Sequence, residues 1–178
     1  MEPDTEDLLA CARVLDVRLH ETLEDPFRLR RGRLYGATFT PGDEDDPVKL
    51  CFLGDHRDIY ELIAGPIGIL ARQFDAAVVA ITGWAAPLDD IGPGSVTRPS
   101  LHPARHRIRA CCAVGDAGVV TVMRSDRDPL EPSETAEEGA GAMPDALLAM
   151  WAGAPVRSRA TWGDERRSSR AGRHRRPA

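Results

Sequence analysis

Residues 105–124 read Arg105-His106-Arg107-Ile108-Arg109-Ala110-Cys111-Cys112-Ala113-Val114-Gly115-Asp116-Ala117-Gly118-Val119-Val120-Thr121-Val122-Met123-Arg124. This is the cleanest periodic stretch in the chain. Ile108, Ala110, Cys112 and Val114 alternate with Arg105, Arg107, Arg109 and Cys111, the period of two that marks a strand with one buried and one wet face. Gly115-Asp116-Ala117-Gly118 supplies a turn, and residues 119–124 return as a partner strand. The pattern predicts a β-hairpin whose outward face carries Arg105, Arg107 and Arg109, joined across the turn by Arg124.

Working back from the hairpin, residues 76–82 (Ala-Ala-Val-Val-Ala-Ile-Thr) are apolar on both faces, as expected of a central strand covered on both sides. Before it, Ile59, Ile63, Ile67, Leu70 and Phe74 recur at helical spacing behind a capping Asp55, and Gly65-Pro66 predicts a kink or two short helices. Residues 33–39 and 48–53 read as short strands around the acidic turn 41–47. The first helix is expected over residues 5–23, with Leu8, Ala12, Leu15, Leu19 and Leu23 on one face and Asp4 or Thr5 as cap. Downstream, residues 126–142 read as loop. Pro144 suits a first helical turn, and residues 145–151 complete a last short helix. These elements predict one α/β-type domain over residues 4–152, with α+β as the alternative: a mixed four- to five-stranded sheet flanked by helices.

Composition bounds the class. The chain has 178 residues and is 42% hydrophobic, enough for one globular core. Charge is divided sharply: residues 1–155 carry a net −11, whereas residues 156–178 carry eight arginines and a net +6. A disordered basic tail over 153–178 is therefore expected on an acidic body. The N-terminus is acidic where a secretory signal needs positive charge, and no run reaches the length of a membrane span, so a cytoplasmic protein with no membrane partner is expected. Arginine outnumbers lysine 22 to 1, a bias that fits a GC-rich genome. Cys11, Cys51, Cys111 and Cys112 lack C-x-x-C spacing. Cys111 and Cys112 are neighbours on a strand and point to opposite faces, so reduced thiols are expected rather than a disulfide framework or metal site.

Candidate chemistry concentrates after the central strand. The stretch 83–109 holds Trp84, Asp89, Asp90, Arg98, Ser100, His102, Arg105, Arg107 and Arg109, and a long loop beyond a central strand end is where sheets with helical crossovers bind ligands. His102 and His106 form an H-x3-H pair that Asp89 or Asp90 would complete as a metal site, but Pro103 separates the histidines and no helical face aligns them as zinc requires. Ser100 with His102 lacks the G-x-S-x-G setting of a nucleophile elbow. The arginine strand face suits an anion or an acidic partner segment. The tail's arginines could neutralise nucleic-acid phosphates, which the acidic body would oppose.

Two segments, Gly83-Trp84-Ala85-Ala86-Pro87 and Arg98-Pro99-Ser100-Leu101-His102-Pro103-Ala104-Arg105-His106-Arg107-Ile108-Arg109, followed by a hairpin and an A-L-x-x-W helix, resemble a group of uncharacterised actinobacterial proteins with G-W-A-A-P and R-P-S-x-H-P-x-R-x-R-x-R segments. The resemblance covers residues 76–151 and implies an origin but no reaction. With no paired carboxylates, cysteine cluster, phosphate loop or nucleophile motif, the expectation is a non-enzymatic binding or accessory protein without cofactor. It would engage an acidic partner or small anion through the 83–109 loop and arginine strand. The alternatives are a hydrolase, metal-dependent or not, centred on His102, Asp89 and Asp90, and a nucleic-acid-associated protein working through its tail.

Overall fold

The computed structural model describes residues 3–40, 42–43, 46–86, 99–135 and 142–156. Asp89, Asp90 and Arg98, and the tail from residue 157 onward, lie outside the described residues.

Helix α1 (Thr5–Thr22) starts where the sequence predicts. Asp4 caps it, accepting from the amides of Glu6 and Asp7, while the Asp7 carboxylate accepts from the Asp4 amide. This reciprocal box satisfies amides that the first turn leaves without partners. Leu8, Ala12, Leu15 and Leu19 are buried as the spacing requires. Burying a leucine fully stabilises by about 1.5–3 kcal/mol. Strand β1 (Gly32–Phe39) then pairs with β2 (Val48–His56). The next helix is capped by Asp58 rather than Asp55, because β2 keeps its ladder through His56. Gly65-Pro66 divides the following helical turns into α2 (Ile59–Ala64) and α3 (Pro66–Ala71), with Pro66 opening the second.

Strand β3 (Ala76–Ala85), a short 3-10 turn (Pro99–Leu101), the hairpin β4 (His106–Gly115) and β5 (Gly118–Ser125), strand β6 (Ser133–Thr135) and helix α4 (Ala142–Trp151) complete the chain. The fold class is α+β. Six strands lie in the order β2-β1-β3-β4-β5-β6 and every neighbouring pair is antiparallel, not the mixed four- to five-stranded sheet expected. The crossover through α2 and α3 does bring β3 into the direction of β2, but β1 lies between them. The strand missed from sequence is β6, whose three residues are exposed and carry no apolar period.

Residues 76–80 are all completely buried because helices cover both faces. Ala76, Val78 and Ala80 join Cys111, Ala113, Val120 and Val122 under α1. Ala77 and Val79 join Cys112 and Val114 under α2, α3 and α4. A doubly apolar strand therefore records two covers, not parallel pairing. The bidentate pair of Arg13 with Glu134, at 2.7 Å for each bond, fastens α1 to β6. On the other side, the Trp151 indole N–H donates to Asp116 at 2.8 Å and fastens α4 to the hairpin turn. At the far edge, Leu53 is an extra residue in β2: Leu34 faces Gly54 but Tyr35 faces Phe52, a bulge in the ladder. The Phe52 ring, 55% exposed, meets Tyr35 edge-on at 5.4 Å.

The tightest backbone approach is between α2 and α3. A Cβ on Gly68 would lie 1.9 Å from the Ile63 carbonyl oxygen, a backbone atom that cannot swing away. Gly68→Ala should therefore lower stability by about 1–3 kcal/mol. Gly83→Ala, which meets nothing within 4 Å, should be close to neutral. Urea unfolding of the two variants side by side tests this.

Candidate functional site

On the α1 side of the sheet, the β3–β4 ladder passes from dry to wet in three steps. Ala80 faces Cys111, Thr82 faces Arg109, and Trp84 faces Arg107. Alternate residues share a face, so these pairs line one continuous surface. The first pair sits in the core beneath α1. The second lies beneath the end of that helix, and the third emerges beyond it.

Arg109 corrects the expectation of a wet arginine face, since it is completely buried. It donates from Nε at 3.1 Å and Nη2 at 2.6 Å to Asp16 Oδ1. It also donates to the backbone carbonyls of Asp16 at 2.9 Å and Pro26 at 3.1 Å. Its register partner Arg124, also buried, donates from Nε at 2.8 Å and Nη2 at 2.5 Å to Asp16 Oδ2, and from Nη1 to the Pro129 carbonyl. One buried carboxylate thus holds two guanidiniums, with carbonyl oxygens taking further donors and the Phe27 ring lying 5.7 Å from Arg109 Cζ. Cys111, expected on the same wet face, is buried too, because α1 covers that face.

Beyond the triad, the Arg107 and Arg105 guanidinium carbons lie 4.6 Å and 5.1 Å from the centroid of the Trp84 ring. Trp84 is 37% exposed. Such contacts contribute about 0.5–1 kcal/mol each at exposed sites. They hold the guanidinium planes while leaving N–H edges for a carboxylate or phosphate. The mount is rigid. The Arg107 amide donates to Asp126 Oδ1 at 3.1 Å, and the Asp126 amide returns a bond to the Arg107 carbonyl at 3.0 Å. Arg127 reaches across to the Ala104 carbonyl at 2.8 Å. His102 is buried, its Nδ1 accepting from the Ala104 amide at 3.0 Å and its carbonyl accepting from the Arg105 amide at 3.1 Å. It shapes the turn that presents Arg105. Ser100 is half-buried on the 3-10 turn ahead of it.

Trp84, Arg105 and Arg107 are therefore brought together, Arg109 is drawn inward, and Asp89, Asp90 and Arg98 lie outside the described residues. Among the described residues no group of three or more His, Cys, Asp or Glu side chains is placed to hold a metal ion. No described helix is long and apolar enough to cross a membrane. Sequence reasoning missed Asp16, whose signal was a lone acid beside the apolar stripe of α1. It also missed a cleft of about 850 Å3 formed by Leu23, Glu24, Asp25, Leu29, Asp55 and four arginines, Arg28, Arg30, Arg31 and Arg33. The density of arginine over 28–33 was the available signal there. Comparison of the chain with family models, curated proteins and solved structures found no match.

Two predictions follow from burial. Removing the shared carboxylate by Asp16→Ala leaves two buried guanidiniums opposed, and should cost about 3–5 kcal/mol in denaturant unfolding. Burial also pushes the Cys11 thiol up to about 12, aided by Asp7 and Asp75, and raises Cys111 and Cys112 by the same desolvation. Of the four free thiols only Cys51 is exposed. A disulfide-exchange reagent at about pH 8 should thus titrate one thiol in the native protein and all four in urea, since thiolate and access together set reactivity. More than one fast thiol in the native state would contradict this burial.

Proposed function

We propose that this chain is a non-enzymatic binding or accessory protein that engages an acidic partner or small anion through Trp84, Arg105 and Arg107. The observation that carries the reading is the pair of guanidiniums stacked on one partly exposed indole. Two forks with fixed planes and outward donors suit bidentate contact with carboxylate or phosphate. Among the described residues neither has a carboxylate within 4 Å to neutralise it. The two segments that carry the resemblance to the actinobacterial group meet in this platform, Trp84 from one and both arginines from the other, which supports reading them as one unit.

For the hydrolase alternative, His102 Nδ1 accepts from the Ala104 amide, while Asp89 and Asp90 lie outside the described residues. The tail that would carry nucleic-acid binding is outside them as well.

Titration with inorganic pyrophosphate, followed by tryptophan fluorescence, tests the platform. A saturable change is expected that weakens with salt. Arg107→Ala should raise Kd about tenfold or more, since a hydrogen bond to a charged group contributes about 1.5–3 kcal/mol. Trp84→Phe should remove most of the optical response. If Arg105→Ala and Arg107→Ala bind as wild type does, the platform is not the site.

A further inference from the structure

The arginine cleft lies directly beside the platform. The Thr82 hydroxyl donates to the Leu29 carbonyl at 3.2 Å, so the 28–33 segment runs alongside β3 two residues from Trp84, about 7 Å along the strand. Just before that segment, the Pro26 carbonyl accepts from Arg109 at 3.1 Å. Inside the cleft, Arg31 pairs with Asp55 at 3.1 Å, and Asp25 accepts from the Phe27 amide at 3.1 Å. Among the described residues Arg28, Arg30 and Arg33 have no carboxylate at ion-pair distance. Three cationic forks thus stand unmatched next to two more at the platform, on a body whose residues 1–155 are net negative.

The carboxylates decide the kind of ligand. Glu24 and Asp25 are exposed at the same cleft, so the lining carries both signs of charge. A nucleic-acid strand places a negative charge at every residue and would meet those acids repeatedly. A peptide with separated carboxylates can set them against the arginines and its own amides and cations against Glu24 and Asp25. A lining of both signs discriminates between partners as well as attracting them.

We infer that platform and cleft together hold an extended acidic segment of a partner protein, the cleft extending the anion-binding reading of the platform on which this inference rests. The segment lies with carboxylates on Arg105 and Arg107 at one end and on Arg28 and Arg30 at the other.

The probe is a fluorescein-labelled peptide of alternating Glu and Ser, twelve residues long (about 40 Å extended), measured by anisotropy with the full chain. Pyrophosphate and a dT12 oligonucleotide are run in parallel. Arg28→Ala/Arg30→Ala, at two exposed positions, is expected to weaken the peptide about tenfold and leave pyrophosphate unchanged, while Arg107→Ala weakens both. Every variant keeps the basic tail, so differences between variants report the body alone. Peptide binding untouched by the double substitution, with pyrophosphate still sensitive to Arg107→Ala, would overturn the cleft and spare the platform. Loss of response to both probes in the wild type would overturn both. An equal loss of dT12 affinity in the double variant would assign the cleft to nucleic acid and overturn the peptide.

Discussion

Arg109 and Arg124 face each other across neighbouring strands, and in an apolar layer that arrangement would be repulsive without Asp16 between them. Each carboxylate oxygen accepts two N–H groups from one guanidinium, so neither arginine can shift without losing a bidentate contact. The carbonyls of Pro26 and Pro129 each take one further Nη1 donor. Helix α1, the segment after it and the chain after β5 are thereby tied to one point on the sheet. A one-residue slip of β4 would carry Arg109 to the opposite face, away from Asp16, so the triad also specifies register. Desolvating three charges is costly, and hydrophobic residues of similar volume often serve a core as well. What the triad supplies is definition of a single arrangement. That arrangement puts Trp84 and Arg107 just beyond the last covered pair of the ladder.

Much of the fold was legible because it rests on local periodicity. The apolar spacing of α1, the break at Gly65-Pro66 and the turn at Gly115–Gly118 all express short-range chemistry, and each element lies where that chemistry puts it. Strand pairing was not legible, because it depends on contacts between segments far apart in the chain. The arginine strand shows why. A charge in an alternating strand normally marks solvent, and for Arg107 it does so in part. For Arg109 the inference fails because its partner is 93 residues away on α1. That Arg124 joins the arginine face across the hairpin was visible, whereas its pairing with Arg109 and the acid uniting them were not.

The site divides in the same way. Trp84, Arg105 and Arg107 were selected by residue type and strand position, and cross-strand pairing joins Trp84 to Arg107. His102 is a titratable group whose Nδ1 accepts from the backbone of its own turn. The cleft escaped notice because residues 27–31 have neither helical nor strand period; their position depends on the Leu29–Thr82 and Pro26–Arg109 bonds, which no local pattern encodes.

The bulge at Leu53 bears on how the molecule keeps to itself. Strand β2 is nine residues long, free of proline, and forms one border of the sheet with Leu50 and Phe52 on it. A flat border of that composition would be a template on which another chain could add a strand. The extra residue breaks the even spacing of the outer amides and carbonyls and increases the local twist. An incoming straight strand can match the ladder on one side of Leu53 or on the other, but not along its whole length. The irregularity thus denies an incoming strand a continuous ladder while leaving the border apolar enough to pack on Tyr35.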